Sequence, residues 1–421
     1  MMVFRNLHTV EGSEPVQIGI WGSRIAFVSS GLSARGAGPS VLPSPSVPSG
    51  PSVLPCPSVP SGPSALPGPS VPSGPSAPAS LDLQGALVFP GLINSHDHLE
   101  FNSFSALGNE IYPNYIAWGD RIHSICKPDI DRVLRIPLSL RASWGIYKNL
   151  LGGVTTVVQH GMTWVAEGVF NDCQSIHSIK LGGHWRRRLN NPRRLGRPCV
   201  IHIGEGTDAD ARSEVDSLLR WNWLRRPLIG VHGVAMDAVQ AAHFKALVWC
   251  PQSNFFLLGK TANVDRLRNV TTLLFGTDST LTGPWSIWDH LRCARETGMV
   301  GDKDLFDMVT QAPARIWELA AGSIAPGRKA DLTIARPPAG QRGWDAFYAL
   351  TPADIELVIR SGKVCLVDSR WKSALEASGQ TFDGWSSVRL GDTVKFVPGD
   401  LPALARDIRT YDPQAEFPFT V

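Results

Sequence analysis

Apolar and polar positions alternate with a period of two near both ends of the chain. The segment PVQIGIWGSRIAFVSSG places a Gly-Ser turn between two such runs, which is typical of a β-hairpin. LDLQGALVFPGLINSHDH continues as strand, and ADLTIARP and IELVIRSGKVCLVDS repeat the pattern near the other end. Both ends of the chain are therefore predicted to be rich in β-strands.

The middle of the chain instead alternates short apolar runs with helical patterns such as DADARSEVDSLLRW. The runs are GVTTVVQHG, CVIHIGEG, PLIGVHGV, ALVWCPQSN and TLLFGTDST. Strand followed by helix, repeated, indicates a parallel sheet, and a closed (β/α)8 barrel would place functional residues at the C-terminal ends of these strands. Seven strands can be identified, counting GLINSHDH and a weak one at QSIHSIKLG, whereas an eighth before Cys199 is not evident.

A proline-rich repeat interrupts the first β-rich region. GPSVLPSPSVPS recurs as GPSVLPCPSVPS and GPSALPGPSVPS, with a period of twelve residues. Proline removes amide donors and fixes φ, so helix and sheet are both disfavoured. Residues 36–80 are predicted to be a disordered or polyproline-like surface insertion, with a recognition tract for a proline-binding module as the alternative.

Composition narrows the class of protein. Hydrophobic residues make up 43% and charged residues 18%, and the net charge of +3 gives no reason to expect nucleic acid. No apolar run is long enough to cross a membrane, and the N-terminus lacks the pattern of a secretory signal. The seven cysteines are scattered without a CxxC pair, which favours a reducing, cytoplasmic location.

Metal-competent side chains follow the apolar runs at the point where each predicted strand ends. They are His96 and His98, then His202 with Glu205, then His232, then Asp278. In a barrel these strand ends meet at one face. Imidazole and carboxylate groups bind zinc, and a catalytic ion lowers the pKa of its water so that hydroxide is available at neutral pH.

Each of these residues also has an ordinary structural explanation. A single HxH pair is a weak signal, His202 alone fits a hydrogen-bonded core histidine, and Asp278 fits a turn or helix cap. Taken together, these residues favour a metal site over separate structural roles, because four separate strand ends each supply a metal-competent group. Asp97, between the two histidines, should point toward the barrel wall and is assigned no catalytic part.

The motifs FPGLINSHDH, GVTTVV, IHIGEG, GVHGVAMD, WCPQSN, FGTDSTLT and GSIAPGRKADLTI occur in an order that resembles the amidohydrolase superfamily. The resemblance is to its branch of cytosine and guanine deaminases, chlorohydrolases and S-adenosylhomocysteine deaminases. It implies a metal-dependent TIM barrel at residues 90–320. It also implies a small composite β-sandwich from residues 1–35, 81–89 and 321–395, followed by a tail at 396–421.

The resemblance also implies roles for individual residues. The metal ligands would be His96, His98, His202 and Asp278. Glu205 would shuttle a proton, His232 would contact the water or the substrate, and Asp278 would also act as a base. Substrate-contacting candidates at the mouth of the barrel are His160, His177 and Asn254, each of which is equally consistent with a structural role.

Two features depart from the family pattern. Binuclear relatives use a carboxylated lysine from the fourth strand, and the context of Lys180 in HSIKLGG does not match that motif. A single divalent ion is therefore expected, with zinc favoured and iron or manganese as alternatives. The stretch HWRRRLNNPRRLGR carries six arginines and is interpreted as a solvated basic loop, with an anion-binding role as the alternative.

The predicted activity is hydrolysis of a carbon–nitrogen bond other than a peptide bond. Deamination of an amino-substituted heterocycle or cyclic amidine is favoured, and the partner is then a small nitrogen heterocycle held partly by the first βα loop. Ring opening of a cyclic amide or imidazolone, and dechlorination of a triazine, use the same hydroxide attack and stay open. A catalytically silent scaffold is the alternative of another class, and a homodimer is the default assembly.

Overall fold

A computed structural model describes residues 1–31, 79–171 and 176–421. Residues 36–78 of the predicted insertion lie outside this part of the chain, and its last two residues, Ala79 and Ser80, begin a strand. Within the described ranges, no helix is both long enough and apolar enough to cross a membrane.

The described elements alternate along most of the chain. The strands are β1 (Met2–Thr9), β2 (Val16–Trp21), β3 (Arg24–Ser30), β4 (Ala79–Pro90), β5 (Leu92–Asp97), β6 (Val154–Gln159), β7 (Val169–Asn171), β8 (Cys199–Ile203), β9 (Leu228–His232), β10 (Ala246–Trp249), β11 (Thr272–Phe275), β12 (Leu332–Ala335), β13 (Ile355–Arg360), β14 (Lys363–Asp368), β15 (Trp385–Leu390) and β16 (Thr393–Pro398). The helices are α1 (Tyr115–Ile125), α2 (Lys127–Leu134), α3 (Leu138–Leu151), α4 (Trp185–Leu189), α5 (Ala209–Trp221), α6 (Ala238–Ala241), α7 (Pro251–Leu258), α8 (Val264–Leu267), α9 (Ile287–Glu296), α10 (Asp302–Asp307), α11 (Gln311–Ile316), α12 (Gly343–Tyr348), α13 (Ser369–Ala377) and α14 (Leu401–Tyr411).

Strands from both ends of the chain join in one composite sheet. Its order is β15-β16-β14-β13-β12-β4-β1-β2-β3, and the two ends of the chain meet where β12 pairs antiparallel with β4. The sheet buries its own apolar cluster, which includes Phe4, Ile18, Leu83 and Leu357 and is covered by Trp371 of α13. The expected β-domain built from both termini is confirmed.

Parallel strands in the middle of the chain form the barrel. β5, β6 and β7 pair in one group and β8 to β11 in a second, all in parallel. A parallel bridge between Asp97 and Asp278 links the two groups, and a second one pairs Ile176 with Ile201 of β8. The ring then runs from Ile176 round to Asn171, and residues 172–175 lie outside the described part. The TIM-barrel prediction is confirmed.

The strand that was not evident in the sequence is β7. It contains only Val169, Phe170 and Asn171 and pairs with β6. Three residues are too few to display a period, which explains why the pattern did not reveal it. The weak strand at QSIHSIKLG is present as a single bridge at Ile176.

The composite sheet passes directly into the barrel. Strand β4 ends at Pro90 and β5 begins at Leu92, while the Gly91 amide donates to the Asp331 carbonyl at 2.9 Å. The sheet therefore anchors the base of the strand whose far end carries His96 and His98.

Candidate metal centre

Four metal-competent side chains from three separated segments meet at the C-terminal end of the barrel. They are His96 and His98 at the end of β5, His202 in β8, and Asp278 just after β11. His202 Nε2 lies 3.2 Å from His96 Nε2 and 3.3 Å from His98 Nε2. Asp278 Oδ1 lies 3.7 Å and 3.6 Å from the same two nitrogens. We call these four residues the metal floor.

The spacing of the metal floor fits a divalent metal ion. Zinc holds nitrogen ligands at about 2.0–2.1 Å, so tetrahedrally arranged ligand atoms lie about 3.3 Å apart. The observed separations of 3.2–3.7 Å match this value. Three ring nitrogens that face one another do not form a satisfied hydrogen-bond set if all are neutral acceptors, whereas one cation satisfies all of them.

The environment keeps the metal-floor histidines neutral. Burial lowers the pKa of His96, His98 and His202 below the usual value, so their lone pairs are available. His202 donates its Nδ1–H to the His177 carbonyl at 2.7 Å. This contact fixes the tautomer and directs Nε2 at the metal floor, as for histidine ligands in general.

Asp278 is held as a carboxylate. Burial opposes its ionisation, but hydrogen bonding to His96 and the neighbouring histidines keep its pKa well below the usual range. Ser253 and Thr282 donate to its other oxygen, Oδ2, at 2.7 Å and 3.0 Å. These two hydroxyls were not identified from the sequence, although Thr282 lies only four residues after Asp278.

Glu205 and His232 lie beside the metal floor. His232 Nε2 is 3.6 Å from Glu205 Oε1, and His232 Nδ1 donates to Asn254 Oδ1 at 2.8 Å. Burial raises the pKa of Glu205 to about 7, which places its proton exchange near neutral pH. Asn254, expected at the rim, is buried in α7 and holds His232 from behind.

Backbone strain coincides with this site. His232 and Asp278 adopt left-handed backbone, with φ of 72° and 62°. Residues other than glycine in this conformation cost about 1–3 kcal/mol each, and they concentrate at functional positions. The strained strand ends therefore direct these two side chains into the site and lower local stability.

A cavity of about 400 Å³ opens above the metal floor. Its lower wall contains His98, His202, Glu205, His232 and Asp278. Its upper wall comes largely from the segment after β5 and from α1 and α2, and we call the following residues the apolar cap: Phe101, Phe104, Leu107, Trp118, Ile122, Ile130 and Leu134. The expectation that the first βα loop shapes the pocket agrees with this geometry.

Comparison with known proteins gives one family match. Residues 204–365 match the model of the amidohydrolase family. No curated protein matches the chain.

Solved structures share the fold of this protein at low sequence identity. An adenosine deaminase from Xanthomonas campestris with bound zinc is 15% identical, with a TM-score of 0.61 over 90% of this chain and 97% of that one. A guanine deaminase from C. acetobutylicum with bound guanine is 14% identical, with a TM-score of 0.58 over 86% and 99%. A mutant atrazine chlorohydrolase from Arthrobacter aurescens, complexed with zinc and atraton, is 16% identical, with a TM-score of 0.55 over 90% and 99%.

A second histidine group adjoins the metal floor. His160, His177 and His202 also bring ligand atoms close together. Because Nδ1 of His202 carries the proton donated to His177, only Nε2 can bind a metal, and the two groups share it. His177 lines the cavity, whereas the His160 ring packs edge-on against His202 at 4.5 Å between centroids.

A buried ionic network supports the HxH motif from the opposite side. Asp97 accepts from Lys148 Nζ at 3.0 Å, from Asn149 Nδ2 at 2.8 Å and from Asn102 Nδ2 at 2.8 Å. Lys148 also donates to Asn102 Oδ1 at 2.7 Å. As expected, Asp97 points away from the metal floor, but its partner Lys148 was missed. The sequence signal that could have identified Lys148 is its position within the apolar helical segment IYKNLL.

Proposed function

We propose that this protein is an amidohydrolase, a zinc-dependent, single-metal hydrolase that removes an amino group from a nitrogen heterocycle. The observation that carries the proposal is the position of Glu205 and His232 beside the metal floor, at the base of one cavity. The similarity in fold to an adenosine deaminase with zinc and to a guanine deaminase with guanine supports it.

The residues that would hold a zinc ion are His96, His98, His202 and Asp278. When bound, zinc would supply a water of lowered pKa and therefore a nucleophile at neutral pH. The Asp278 carboxylate, which Ser253 and Thr282 keep in position, would orient the attacking water. Glu205 accepts a proton from the attacking water.

Glu205 then returns this proton to the departing amine. The new C–O bond replaces the C–N bond, so water and the amino heterocycle become ammonia and the oxo heterocycle. A pKa of about 7 suits a group that must first take up and then release a proton. His232, held by Asn254, keeps Nε2 toward the reacting carbon and stabilises the charge that develops there.

An ammonia-release screen against aminopurines, aminopterins and aminopyrimidines tests the proposal. We expect the zinc-loaded protein to release ammonia from at least one of these classes, and the matched Glu205→Gln protein to release far less. Release from none of the three classes would contradict deamination.

Dechlorination is the second candidate, since an atrazine chlorohydrolase shares the fold. The same water attack at a ring carbon expels chloride instead of an amine. Chloride release from a chlorotriazine, without ammonia release from any amino heterocycle, would select this activity. Ring opening of a cyclic amide would instead yield a new carboxylate without either product.

Location and assembly complete the proposal. We place the protein in the cytoplasm because its cysteines are scattered, and Cys126, Cys250, Cys293 and Cys365 are free thiols. The homodimer stays a prediction, which sedimentation of the full chain tests.

A further inference from the structure

The cavity is larger than a bare heterocycle above the metal floor needs. Its volume of about 400 Å³ lies within the roughly 300–1,000 Å³ typical of sites for drug-sized ligands. A ring that reacts at the metal floor therefore leaves the far end of the same cavity to be filled. The far end is the apolar cap, where Ile122 and Ile130 are only 4% and 7% exposed.

Three polar side chains in the wall of the cavity, Trp118, Tyr115 and Thr282, already have partners within the protein. Trp118 Nε1 donates to the Leu107 carbonyl at 2.7 Å, so this side chain offers its ring rather than its N–H. The Tyr115 hydroxyl lies 3.0 Å from Ser178 Oγ and 3.2 Å from Glu214 Oε1. The Thr282 hydroxyl donates to Asp278. A polar substituent would find few hydrogen bonds here and would lose those it made to water.

The charges of the side chains around the cavity also favour an uncharged substituent. No lysine or arginine occurs among the described residues that line the cavity. Arg186, from the basic stretch, packs on Trp185 and Trp221 instead. A phosphate or carboxylate on the substrate would therefore meet no lysine or arginine in the described wall of the cavity, which also holds Glu205 and Asp278.

We propose that the substrate carries an uncharged alkyl or aryl substituent that the apolar cap receives, and that phosphorylated heterocycles are rejected. This inference rests on the proposed function for the position of the reacting ring. It makes Trp118, Ile122, Ile130 and Leu134 specificity-determining residues. Each methylene that moves from water into such a site strengthens binding by about fourfold.

Binding of three hydroxamates to the zinc-loaded full chain, measured by calorimetry, tests the inference without turnover. The probes are acetohydroxamate, hexanohydroxamate and the monohydroxamate of adipic acid, which share a metal-binding head and differ in the tail. We expect hexanohydroxamate to bind at least about tenfold tighter than acetohydroxamate. The adipic compound, with its terminal carboxylate, should lose most of that gain.

A charge placed in the apolar cap should reverse this order. Leu134 lines the cavity yet is 48% exposed, so Leu134→Lys is compatible with folding. We expect it to strengthen binding of the adipic compound and to weaken that of hexanohydroxamate. Ile125→Lys is the matched control, because Ile125 is 44% exposed at the end of α1 and does not line the cavity.

The outcomes separate the two proposals. Equal affinity for all three hydroxamates, or a preference for the carboxylate tail, would overturn the apolar inference and leave the metal site standing. Failure of all three to bind would contradict the metal centre and with it the proposed function. If the ammonia-release screen finds no substrate but the hydroxamate preference is observed, deamination is contradicted and the apolar inference stands.

Discussion

The metal floor and the apolar cap face each other across one cavity but are built in different ways. The metal floor comes from the ends of barrel strands, and its ligands are separated by as many as 182 residues in sequence. The apolar cap comes from one continuous segment that includes α1 and α2. The barrel strands therefore fix the geometry of the metal floor. The residues proposed to contact the rest of the substrate lie on a separate segment, which can change in sequence without moving the metal floor.

Loss of a metal-floor ligand should have the largest effect. We expect His202→Ala and Asp278→Ala to lose both bound zinc and turnover, since three remaining groups no longer complete the site. Elemental analysis and the ammonia assay measure the two losses. His243→Ala, which removes an exposed histidine, is the control. Full zinc occupancy in both ligand variants would refute the assignment of the metal floor.

Replacement of Glu205 should separate chemistry from metal binding. Glu205→Gln should retain zinc and lower kcat by about 10²–10⁴-fold, because proton transfer is lost. The carboxylate is the active form, and its pKa is raised to about 7, so the rate of the native protein should fall as pH drops through that value. The variant should lack this acid limb. A pH profile identical to that of the native protein would assign the limb to another group.

The network behind the HxH motif should show an intermediate effect. Asp97→Asn leaves Lys148 buried without its carboxylate, which costs about 3–5 kcal/mol of stability. It should also weaken zinc binding by about 10–100-fold, since the support of His96 and His98 is lost. Titration with a zinc chelator and thermal unfolding measure both. Lys148→Met in the same chain should restore stability but not zinc affinity; unchanged zinc affinity in Asp97→Asn would argue against a positioning role.

The junction between apolar cap and barrel should show the smallest effect. Glu214 of α5 contacts Tyr115, the first residue of α1, and burial raises the pKa of Glu214 to about 7. The folded protein thus keeps a proton that the unfolded chain releases near pH 4.5, so this group's stabilising effect is lost as pH rises from about 4.5 through 7.

Glu214→Gln should therefore raise Tm by a few degrees at pH 8 and leave it unchanged below about pH 4.5. Thermal unfolding across this pH range is the measurement, with Asp210→Asn on the exposed face of the same helix as control. A constant difference at every pH would show that ionisation of Glu214 does not contribute.

The strand ends were predictable because their pattern is local. A run such as CVIHIGEG shows both the strand and the side chains that leave it, and the fold confirms that these ends meet. The three-residue β7 was not predictable, since its pairing with β6 rather than its own pattern defines it. Ser253 and Lys148 were missed for the same reason: each acts through a partner far away in the sequence. Thr282 lies only four residues after its partner Asp278, but the sequence pattern does not show that its hydroxyl turns back to the carboxylate.

The left-handed backbone at His232 and Asp278 makes thermal stability and activity compete. Glycine adopts this conformation more readily than histidine or aspartate, so a glycine replacement at either position would relax the strand ends. Each would also delete a side chain that the proposed reaction uses. Selection for heat resistance alone would therefore drive these two positions toward an inactive protein, and retention of His232 and Asp278 in a thermostable variant would mark selection for catalysis.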